Sequence, residues 1–327
     1  MILIFSIESD SSTNAVIDWL NFYKEKWIRI NEFEFGNQVN LNIQLKNNNS
    51  YNFSEIFLNQ LGEIKSIWLR RYNYSSEIGI SENTDLNLVI QMMESISSEK
   101  RSVWESFCRN LLPKNKWLNY FSNVKLSKLL QLEIAAKHDI LVPETLITTS
   151  KKLVQDFLNE NGSIISKPIE SYPSYTIEDK VYTPFTKEID TNFINKLPND
   201  FFPMLFQRNI KKNFEVRCFY LNDKFYCMAM FTQKDPETTI DFRVNNTKQP
   251  TRRVPFTLPY DLERKLANLM RELELNSGSI DILYGTDSKF YFLEVNPVGQ
   301  FGMVSYPCNY KLEKKIAEEL IKLSYGK

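Results

Sequence analysis

Apolar and polar positions along the first thirty residues predict an alternation of strand and helix. Residues 1–5 are all apolar, and the stretch 1–6 is typical of a buried parallel strand. Ser11, Ser12 or Thr13 is expected to cap a helix whose apolar residues recur at helical spacing. Residues 28–30 form a second strand-like run. A strand, a capped helix and another strand in this order predict an α/β domain at the start of the chain.

Strand-like and helical patterns continue to alternate until about Trp117, where the sequence pattern changes. Residues 64–71 are strand-like and end in paired arginines, and a mostly helical stretch over about 86–112 is closed by Pro113. We therefore expect residues 1–117 to form an N-terminal α/β domain.

Beyond this point, helical and strand patterns alternate more densely, and we expect residues 118–203 and 204–327 to form two subdomains of a second domain. From residue 204 onward the strand-like runs alternate apolar and polar residues, which predicts an antiparallel sheet with one buried face. The predicted strands cover 142–147, 163–168, 214–220, 224–231 and 290–295. The predicted helices cover 125–136, 151–158, 261–275 and 312–323, and Asn161 and Gly162 are expected to stop the second of them.

Composition narrows the chemistry that this chain can support. Of its 327 residues, 43% are hydrophobic and 24% are charged, and basic and acidic side chains balance at 40 each. A nucleic-acid-binding protein usually has a basic excess, so that class is disfavoured. The single histidine, His138, reads as a loop residue and excludes histidine-pair zinc sites. Neither G-x-G-x-x-G nor the Walker pattern occurs, so any nucleotide is bound by another architecture.

The cysteines and the apolar runs predict a cytoplasmic protein. Cys108, Cys218, Cys227 and Cys308 form no C-x-x-C pair, and we expect them to be reduced, mostly buried thiols. The apolar start of the chain is short and is soon followed by acidic residues, which is typical of neither a signal peptide nor a membrane span.

The sharpest local signal is a predicted hairpin near the end of the chain. If Asp287 and Ser288 form a two-residue loop, Asp281 lies opposite Glu294, and Asn296 points to the same face. Two directly opposed carboxylates destabilise a sheet, and a cation between them relieves the repulsion. Two carboxylates and an amide oxygen suit Mg²⁺ that carries a nucleotide's phosphates. The alternative is an ordinary solvated hairpin face.

Several cations and one acid upstream are candidates for a site of the same kind. Lys128 lies early in an amphipathic helix, and Lys167 ends a short strand. Taken singly, each is expected to be a solvated surface lysine. Glu215 and Arg217 share one face of a strand, with a surface ion pair as the alternative.

Two further groups of cations are weaker candidates. Arg70 and Arg71 end a strand, and arginine suits bidentate binding of carboxylate or phosphate. Because neighbouring strand residues point to opposite faces, we expect one of the two at most to enter a given site. Arg243 and Asn245 lie in a loop-rich stretch, for which a solvated loop is the alternative.

Taken in order, these pieces resemble the ATP-grasp superfamily from about residue 119 to the end of the chain. Asp139 stands where that family often has a glycine, and aspartate tolerates a left-handed backbone better than most residues. The stretches that carry the resemblance are 128–136 with 140–145, 164–168, 206–210, 215–217, 241–245 and 292–297 with Asp281.

The N-terminal part is similar to the peptide maturases that make graspetides, the microviridin-type ligases, and especially to their grasp-with-spasm branch. The stretches concerned are 2–6, 10–13, 16–20, 29–31 and 68–71. The resemblance implies an α/β (α+β) protein with an N-terminal α/β pre-ATP-grasp domain and a two-subdomain ATP-grasp domain that contains antiparallel sheets.

The resemblance also implies a role for each candidate residue. For ATP, it implies that Lys128 and Lys167 bind phosphates, that Glu215 binds the ribose, and that the adenine hinge consists of Gln207, Arg208, Asn209 and Ile210. Arg217 is expected to contact the transferring phosphoryl group, and Arg243 and Asn245 make further phosphate contacts. Mg²⁺ is expected at Asp281, Glu294 and Asn296, and the acidic substrate at Arg70 or Arg71. Of these, Arg217, Arg243 and Lys167 are the expected catalytic residues.

The implied activity is ATP-dependent closure of side-chain ester or amide rings in a ribosomal precursor peptide. An Asp or Glu side chain is activated as an acyl phosphate and then attacked by Ser, Thr or Lys. One alternative is a ligase that adds a free amino acid to a protein or a small molecule, and another is a nucleotide-binding sensor or peptide-binding module without turnover. The resemblance further implies a cytoplasmic homodimer that binds a leader-bearing precursor and neither nucleic acid nor membrane.

Overall fold

The computed structural model describes residues 1–31, 44–45, 51–52, 63–71, 85–123, 126–170, 175–177, 180–182, 186–231 and 251–326. Its strands are β1 (Ile2–Ser6), β2 (Trp27–Asn31), β3 (Gln44–Leu45), β4 (Tyr51–Asn52), β5 (Ser66–Leu69), β6 (Trp117–Leu118), β7 (Thr145–Ser150), β8 (Ile164–Lys167), β9 (Tyr175–Ile177), β10 (Lys180–Tyr182), β11 (Lys187–Ile189), β12 (Asp200–Arg208), β13 (Lys212–Leu221), β14 (Lys224–Phe231), β15 (Arg252–Phe256), β16 (Ser277–Gly285) and β17 (Phe290–Asn296). Its α-helices are α1 (Ser11–Phe22), α2 (Leu86–Leu111), α3 (Lys128–Lys137), α4 (Lys151–Asn161), α5 (Thr191–Lys196), α6 (Tyr260–Glu272), α7 (Gly302–Cys308) and α8 (Leu312–Tyr325).

The chain forms two compact units. The first consists of Met1–Val124, Gln300–Ser305 and Lys311–Lys327, and the second consists of Lys125–Gly299 and Tyr306–Tyr310. The expected domain division after residues 117 and 203 remains a prediction, and the compact units run differently because the C-terminal helix α8 packs with the first sheet.

The first unit is built on a parallel sheet in the order β2-β1-β5-β6. Asp10 caps α1, since its carboxylate accepts a hydrogen bond from the Ser12 backbone N–H at 2.9 Å. The prediction of a cap at Ser11, Ser12 or Thr13 is therefore wrong by one to three residues. A serine at these positions is less suitable because the helix has already begun.

Aromatic side chains fill the core between this sheet and its helices. The ring of Phe5 meets Trp104 edge-on at 4.5 Å and stacks near Trp117 at 6.3 Å. On the C-terminal helix, the carbonyl of Leu320 accepts a hydrogen bond from Ser66 Oγ of β5 at 3.0 Å. Buried polar contacts of this kind fasten α8 to the first sheet.

The smaller sheet of the second unit is antiparallel, in the order β11-β8-β12-β7. Helices α4 and α5 cover one face through a core that includes Val154, Ile164 and Phe206. Helix α4 ends at Asn161, and Gly162, whose φ of 73° favours glycine, caps it, as the sequence predicts. Strand β7 begins at Thr145 rather than at 142, because its register with β12 starts where Thr145 lies opposite Gln207.

The larger sheet is also antiparallel, in the order β15-β14-β13-β16-β17. Helices α3 and α6 pack against one face, where Leu132, Leu266 and Ile282 are buried. Residues two apart on a strand share a face, so the opposite face carries Arg217 and Asp281.

Two cysteines face each other across this sheet. Cys218 of β13 lies directly opposite Cys227 of β14, and the structure joins them in a disulfide. The prediction of four reduced thiols is therefore wrong for this pair. Cys218 and Cys227 are nine residues apart in sequence, and the hairpin register places them opposite each other. Cys108 and Cys308 are free and buried, as predicted. Among the described residues, no helix is long and apolar enough to cross a membrane.

Candidate functional site

The predicted pairing of Asp281 with Glu294 is confirmed, although the loop between them differs from the prediction. Gly285 N donates to Lys289 O at 2.8 Å, so the loop has three residues, the last of which, Ser288, is left-handed at φ 63°. This change shifts the register by one residue. A bulge between Asp281 and Ile282 shifts it back, and the two differences cancel at the carboxylates.

Each of the two opposed carboxylates meets a different cation. Lys128 Nζ lies 3.2 Å from a Glu294 oxygen, and Arg217 Nη1 lies 3.6 Å from an Asp281 oxygen. Arg217 is buried, and the other three side chains are partly buried. Lys128 is therefore paired with the hairpin and is not a solitary surface lysine.

Helix α3 brings Lys128 to the hairpin because the helix is pinned to the free edge of β17. Gln131 Oε1 accepts a hydrogen bond from Val295 N at 2.7 Å, and Leu141 O accepts one from Phe292 N at 2.8 Å. After α3, Asp139 takes the left-handed conformation expected of it, at φ 55°.

Glu215 and Arg217 share the face of β13 that carries the carboxylates, but they have different partners. Glu215 forms a buried ion pair with Lys212, whereas Arg217 pairs with Asp281. The sequence reading missed Lys212. Its distance of three residues from Glu215 spans the bulge at the start of β13, which a regular strand pattern does not foretell.

Asn296 lies on the same face as Glu294, two residues further along β17. Its Oδ1 accepts a hydrogen bond from Val298 N at 3.1 Å, which leaves one lone pair for another partner. No group of three or more His, Cys, Asp or Glu side chains able to hold a metal occurs in the described ranges. Any ion at the hairpin would therefore depend on Asp281, Glu294 and the amide oxygen of Asn296, a hard oxygen set that fits Mg²⁺.

On the smaller sheet, Gln207 has a buried acceptor without a partner in the described part of the chain. Its Nε2 donates to Thr145 Oγ1 at 2.9 Å, and Thr145 donates onward to Pro143 O at 2.8 Å. Its Oε1 is buried and accepts no hydrogen bond there. Gln207 alternates with the core residue Phe206, and Lys167 pairs with Leu205 on the same side, so both polar side chains lie on the face away from the helices. A ligand N–H, such as the amine of adenine, would satisfy this acceptor.

Two side-chain hydrogen bonds hold the chain directly after Gln207. Asn209 Nδ2 donates to Ser163 Oγ at 3.1 Å, and Arg208 Nη2 donates to the hydroxyl of Tyr291 at 3.1 Å. Tyr291 in turn donates to Asp287 at 2.7 Å, and burial together with that carboxylate raises the pKa of Tyr291. The sequence does not indicate the contact of Arg208 with Tyr291, because it joins two sheets. Ile210 follows in the same stretch.

In the first unit, Arg70 and Arg71 share one carboxylate. Their Nε atoms lie 3.0 and 3.1 Å from the same Asp10 oxygen. The Arg70 side chain is 2% exposed, whereas that of Arg71 is 34% exposed. Burial lowers the pKa of Arg70 to about 10, against the opposing effect of Asp10, so Arg70 remains charged at neutral pH. Asp10 was missed as a functional residue, and the strand-to-helix turn that it occupies is the signal that marks it.

The remaining candidates are placed as follows. Arg243 and Asn245 lie outside the described residues. His138 follows α3 in a turn, as the prediction of a loop residue has it, and its Nε2 lies 2.8 Å from a Glu272 oxygen.

Comparison with known proteins finds a match among solved structures only. No family model matches the chain, and no curated protein matches it. It is similar to macrocyclase MdnC of Microcystis aeruginosa MRC, bound with precursor peptide MdnA, with a TM-score of 0.80, 24% identity and coverage of 98% of this chain and 99% of that one. It is also similar to a Chryseobacterium gregarium RiPP-associated ATP-grasp ligase in complex with ADP and a leader and core peptide. The TM-score is 0.82 at 21% identity, over 98% of this chain and 96% of that chain.

A third similar structure is the ATP-grasp ligase PsnB, complexed with a phosphomimetic variant of a minimal precursor, Mg and ADP. Its TM-score is 0.78 at 16% identity, over 99% of this chain and 98% of that chain. The predicted ATP-grasp fold, α/β with antiparallel sheets, is thereby confirmed over almost the whole chain.

Proposed function

We propose that this protein is an ATP-dependent ligase that closes side-chain ester or amide rings in a ribosomal precursor peptide. The observation that carries the proposal is the opposed pair Asp281 and Glu294, each with its own cation, on a fold shared with peptide macrocyclases. Two opposed carboxylates destabilise a sheet by repulsion, and a cation that carries a nucleotide would offset this repulsion by binding to both. The similar structures are complexes with precursor peptides, ADP or Mg, which supports the same ligands here.

The nucleotide is proposed to extend from Gln207 on the smaller sheet to the hairpin. Gln207 Oε1 would accept a hydrogen bond from the adenine amine, next to Arg208, Asn209 and Ile210. Lys128 and Lys167 would bind phosphates, and Glu215 the ribose. Arg243 and Asn245, which lie outside the described residues, are proposed to make further phosphate contacts.

The base contact has its own test. ITP carries a carbonyl oxygen where ATP carries the amine, so wild-type protein should bind ATP about three- to tenfold more tightly than ITP. In Gln207→Met this preference should disappear. An undiminished preference in the variant would exclude Gln207 from adenine recognition. Isothermal titration of the two nucleotides measures both ratios.

The magnesium ion is proposed to be held by Asp281, Glu294 and Asn296. When bound, it would neutralise phosphate charge and help to orient the triphosphate. Glu294 and Asp281 already face Lys128 and Arg217, so the same face would gather the positive charge that phosphoryl transfer needs.

The proposed reaction has two steps and needs no protein nucleophile. A precursor Asp or Glu carboxylate attacks the γ-phosphorus of ATP, the bond to the bridging oxygen breaks, and ADP leaves an acyl phosphate on the peptide. A Ser or Thr hydroxyl or a Lys amine of the same peptide then attacks the acyl carbon, loses its proton, and releases phosphate. Arg217 is proposed to stabilise the transferring phosphoryl group, with Lys167 and Arg243 as further catalytic residues.

The proposed setting is a cytoplasmic homodimer that binds no nucleic acid and no membrane. Use of ATP supports a cytoplasmic site of action, and balanced charge argues against nucleic acid. Sedimentation at several protein concentrations would test the dimer, since a single monomer mass throughout would rule it out.

Mass spectrometry tests the ligase activity directly. The candidate substrate is a small peptide with an acidic, Ser/Thr-rich tail that is encoded beside the gene. With ATP and Mg²⁺, we expect loss of one water per ring together with ADP formation. A gain in mass by an added amino acid would instead identify the intermolecular ligase. Nucleotide binding without any mass change, across all neighbouring small reading frames, would favour the module without turnover.

A further inference from the structure

Arg71 is held in a fixed orientation with half of its guanidinium still available. Asp10 is anchored because its Oδ1 accepts the Ser12 N–H at 2.9 Å, and its Oδ2 lies 3.1 Å from Arg71 Nε. The two terminal nitrogens of Arg71 make no hydrogen bond within the described ranges, and a third of the side chain is exposed. A guanidinium fixed at Nε presents its terminal nitrogens as a fork that matches a carboxylate.

The position of this fork in the sheet is one where ligands are commonly bound. Strand β1 lies between β2 and β5, and all three are parallel. The chain leaves β1 at Ser6 and turns through Asp10 into α1, and β5 ends at Leu69, directly before the arginines. The carboxyl ends of β1 and β5 therefore meet where the strand order reverses, which is the usual crevice for ligands in open parallel sheets.

The local charge indicates which anion the fork would bind. Arg70 and Arg71 supply two positive charges and Asp10 supplies one negative charge, so the cluster carries a net charge of +1. The nearby N-terminus of the 12-residue helix α1 adds a partial positive charge. A single excess positive charge suits a monoanionic carboxylate better than a dianionic phosphate.

We propose, resting on the proposed function for the identity of the ligand, that Arg71 binds a side-chain carboxylate of the precursor peptide. Its two terminal nitrogens form a bidentate contact with that carboxylate. Asp10 is a positioning residue because it holds Arg71 Nε, and the buried Arg70 pairs with the same carboxylate. This choice separates the two adjacent arginines, which the sequence alone leaves equivalent.

Two matched peptides test the contact without requiring turnover. One is a fluorescein-labelled peptide rich in Glu and Thr, and the other is its twin with every Glu replaced by Gln. Measured by fluorescence anisotropy on the full chain, wild-type protein should bind the acidic peptide at least about tenfold more tightly. Arg71→Gln should reduce this ratio to about twofold or less, while Arg109→Gln, which removes an exposed arginine elsewhere in the first unit, should leave it unchanged.

Several outcomes decide the proposal. An unchanged ratio in Arg71→Gln would overturn it. If that variant does not fold, Arg71→Lys decides, because lysine keeps the charge but lacks the fork, and the ratio should still fall at least about threefold. Inorganic phosphate that displaces the acidic peptide from wild-type protein more effectively than glutarate would mark a phosphate site instead, and the proposal would be wrong.

The same measurements separate this proposal from the proposed function. If the preference for the acidic peptide depends on Arg71 but the protein closes no rings, the carboxylate site is supported and the ligase activity is refuted. If Arg71→Gln closes rings at the wild-type rate and binds the peptide with wild-type affinity, the ligase activity is supported and the Arg71 site is refuted.

Discussion

At the hairpin of the second unit, Asp281 and Glu294 face each other and each meets a different cation, whereas in the first unit Arg70 and Arg71 share the single carboxylate of Asp10. The hairpin is locally neutral and offers oxygen atoms. The arginine cluster has an excess positive charge and offers N–H donors. The first arrangement is suited to a cation with its phosphates, and the second is suited to an anion.

The two regions also differ in burial, and this difference separates stability from binding. Asp10 and Arg70 are both 2% exposed, so each depends on the other for compensation of a buried charge. Glu294 and Lys128 are partly exposed, and water can replace either partner. Loss of the charge on Asp10 should therefore destabilise the first unit, whereas loss of the charge on Glu294 or Lys128 should weaken ligand binding with little change in stability.

The largest effect is expected at Asp10. Asp10→Asn keeps an oxygen to cap α1 but removes the charge that both arginines share, so it should lower the free energy of unfolding by about 3 kcal/mol. Urea denaturation measures this change. Asp18→Asn, an exposed position on the same helix, is the control and should change little. Equal stability of the two variants would refute the dependence of Arg70 on Asp10.

At the hairpin, Glu294→Gln should abolish turnover with little change in stability. The amide removes one of two proposed carboxylate ligands, and we expect a fall in the rate of ADP formation of about a hundredfold or more. Thermal unfolding should stay close to wild type, since Glu294 is partly exposed. Full activity would refute the metal assignment, and Glu160→Gln, on an exposed face of α4, serves as the control.

A smaller effect is expected when the cation beside Glu294 is removed. Lys128→Met keeps the length of the side chain but removes its charge, and the KM for ATP should rise roughly tenfold with a smaller change in kcat. Steady-state kinetics at saturating peptide separate the two constants. A normal KM would reduce Lys128 to a structural partner of Glu294.

The smallest effect is expected at an ion pair that resembles these in geometry alone. Arg271 lies 2.9 Å from Asp223, but both side chains are more than half exposed, at 58% and 57%. Arg271→Met should change the free energy of unfolding by about 0.5 kcal/mol or less, as urea denaturation would show. A loss comparable to that in Asp10→Asn would mean that burial does not decide how much an ion pair stabilises this protein.

Much of the fold follows from local patterns. Strand β14 has the predicted bounds, and α4 ends where Asn161 and Gly162 indicate, because alternation and a left-handed glycine act within a few residues. The start of β7 and the cap of α1 were misplaced by a few residues. Both depend on which backbone groups find partners, and a sequence pattern does not show those partners.

The residue types of the candidate site are visible in the sequence, whereas their contacts are not, and the assignment to a nucleotide and a divalent cation stays a prediction. The types and order of Lys128, Lys167, Arg217, Asp281 and Glu294 pointed to a nucleotide and a divalent cation. Lys212, Tyr291 and Asp10 were missed because each acquires its partner through a bulge, a second sheet or a neighbouring strand. The Asp281–Glu294 pairing was predicted from a wrong loop, and it is correct because a bulge offsets the error.

The sequence by itself determined the alternation of elements, the carboxylate and amide oxygens carried by β16 and β17, and the lack of a histidine pair and of a glycine-rich phosphate-binding motif, because these depend on residue type and short spacing. Only the tertiary structure decided that Cys218 meets Cys227, that α8 packs with the first sheet, and that Arg71 rather than Arg70 is exposed. Those features depend on register and burial, which are set when distant parts of the chain pack together.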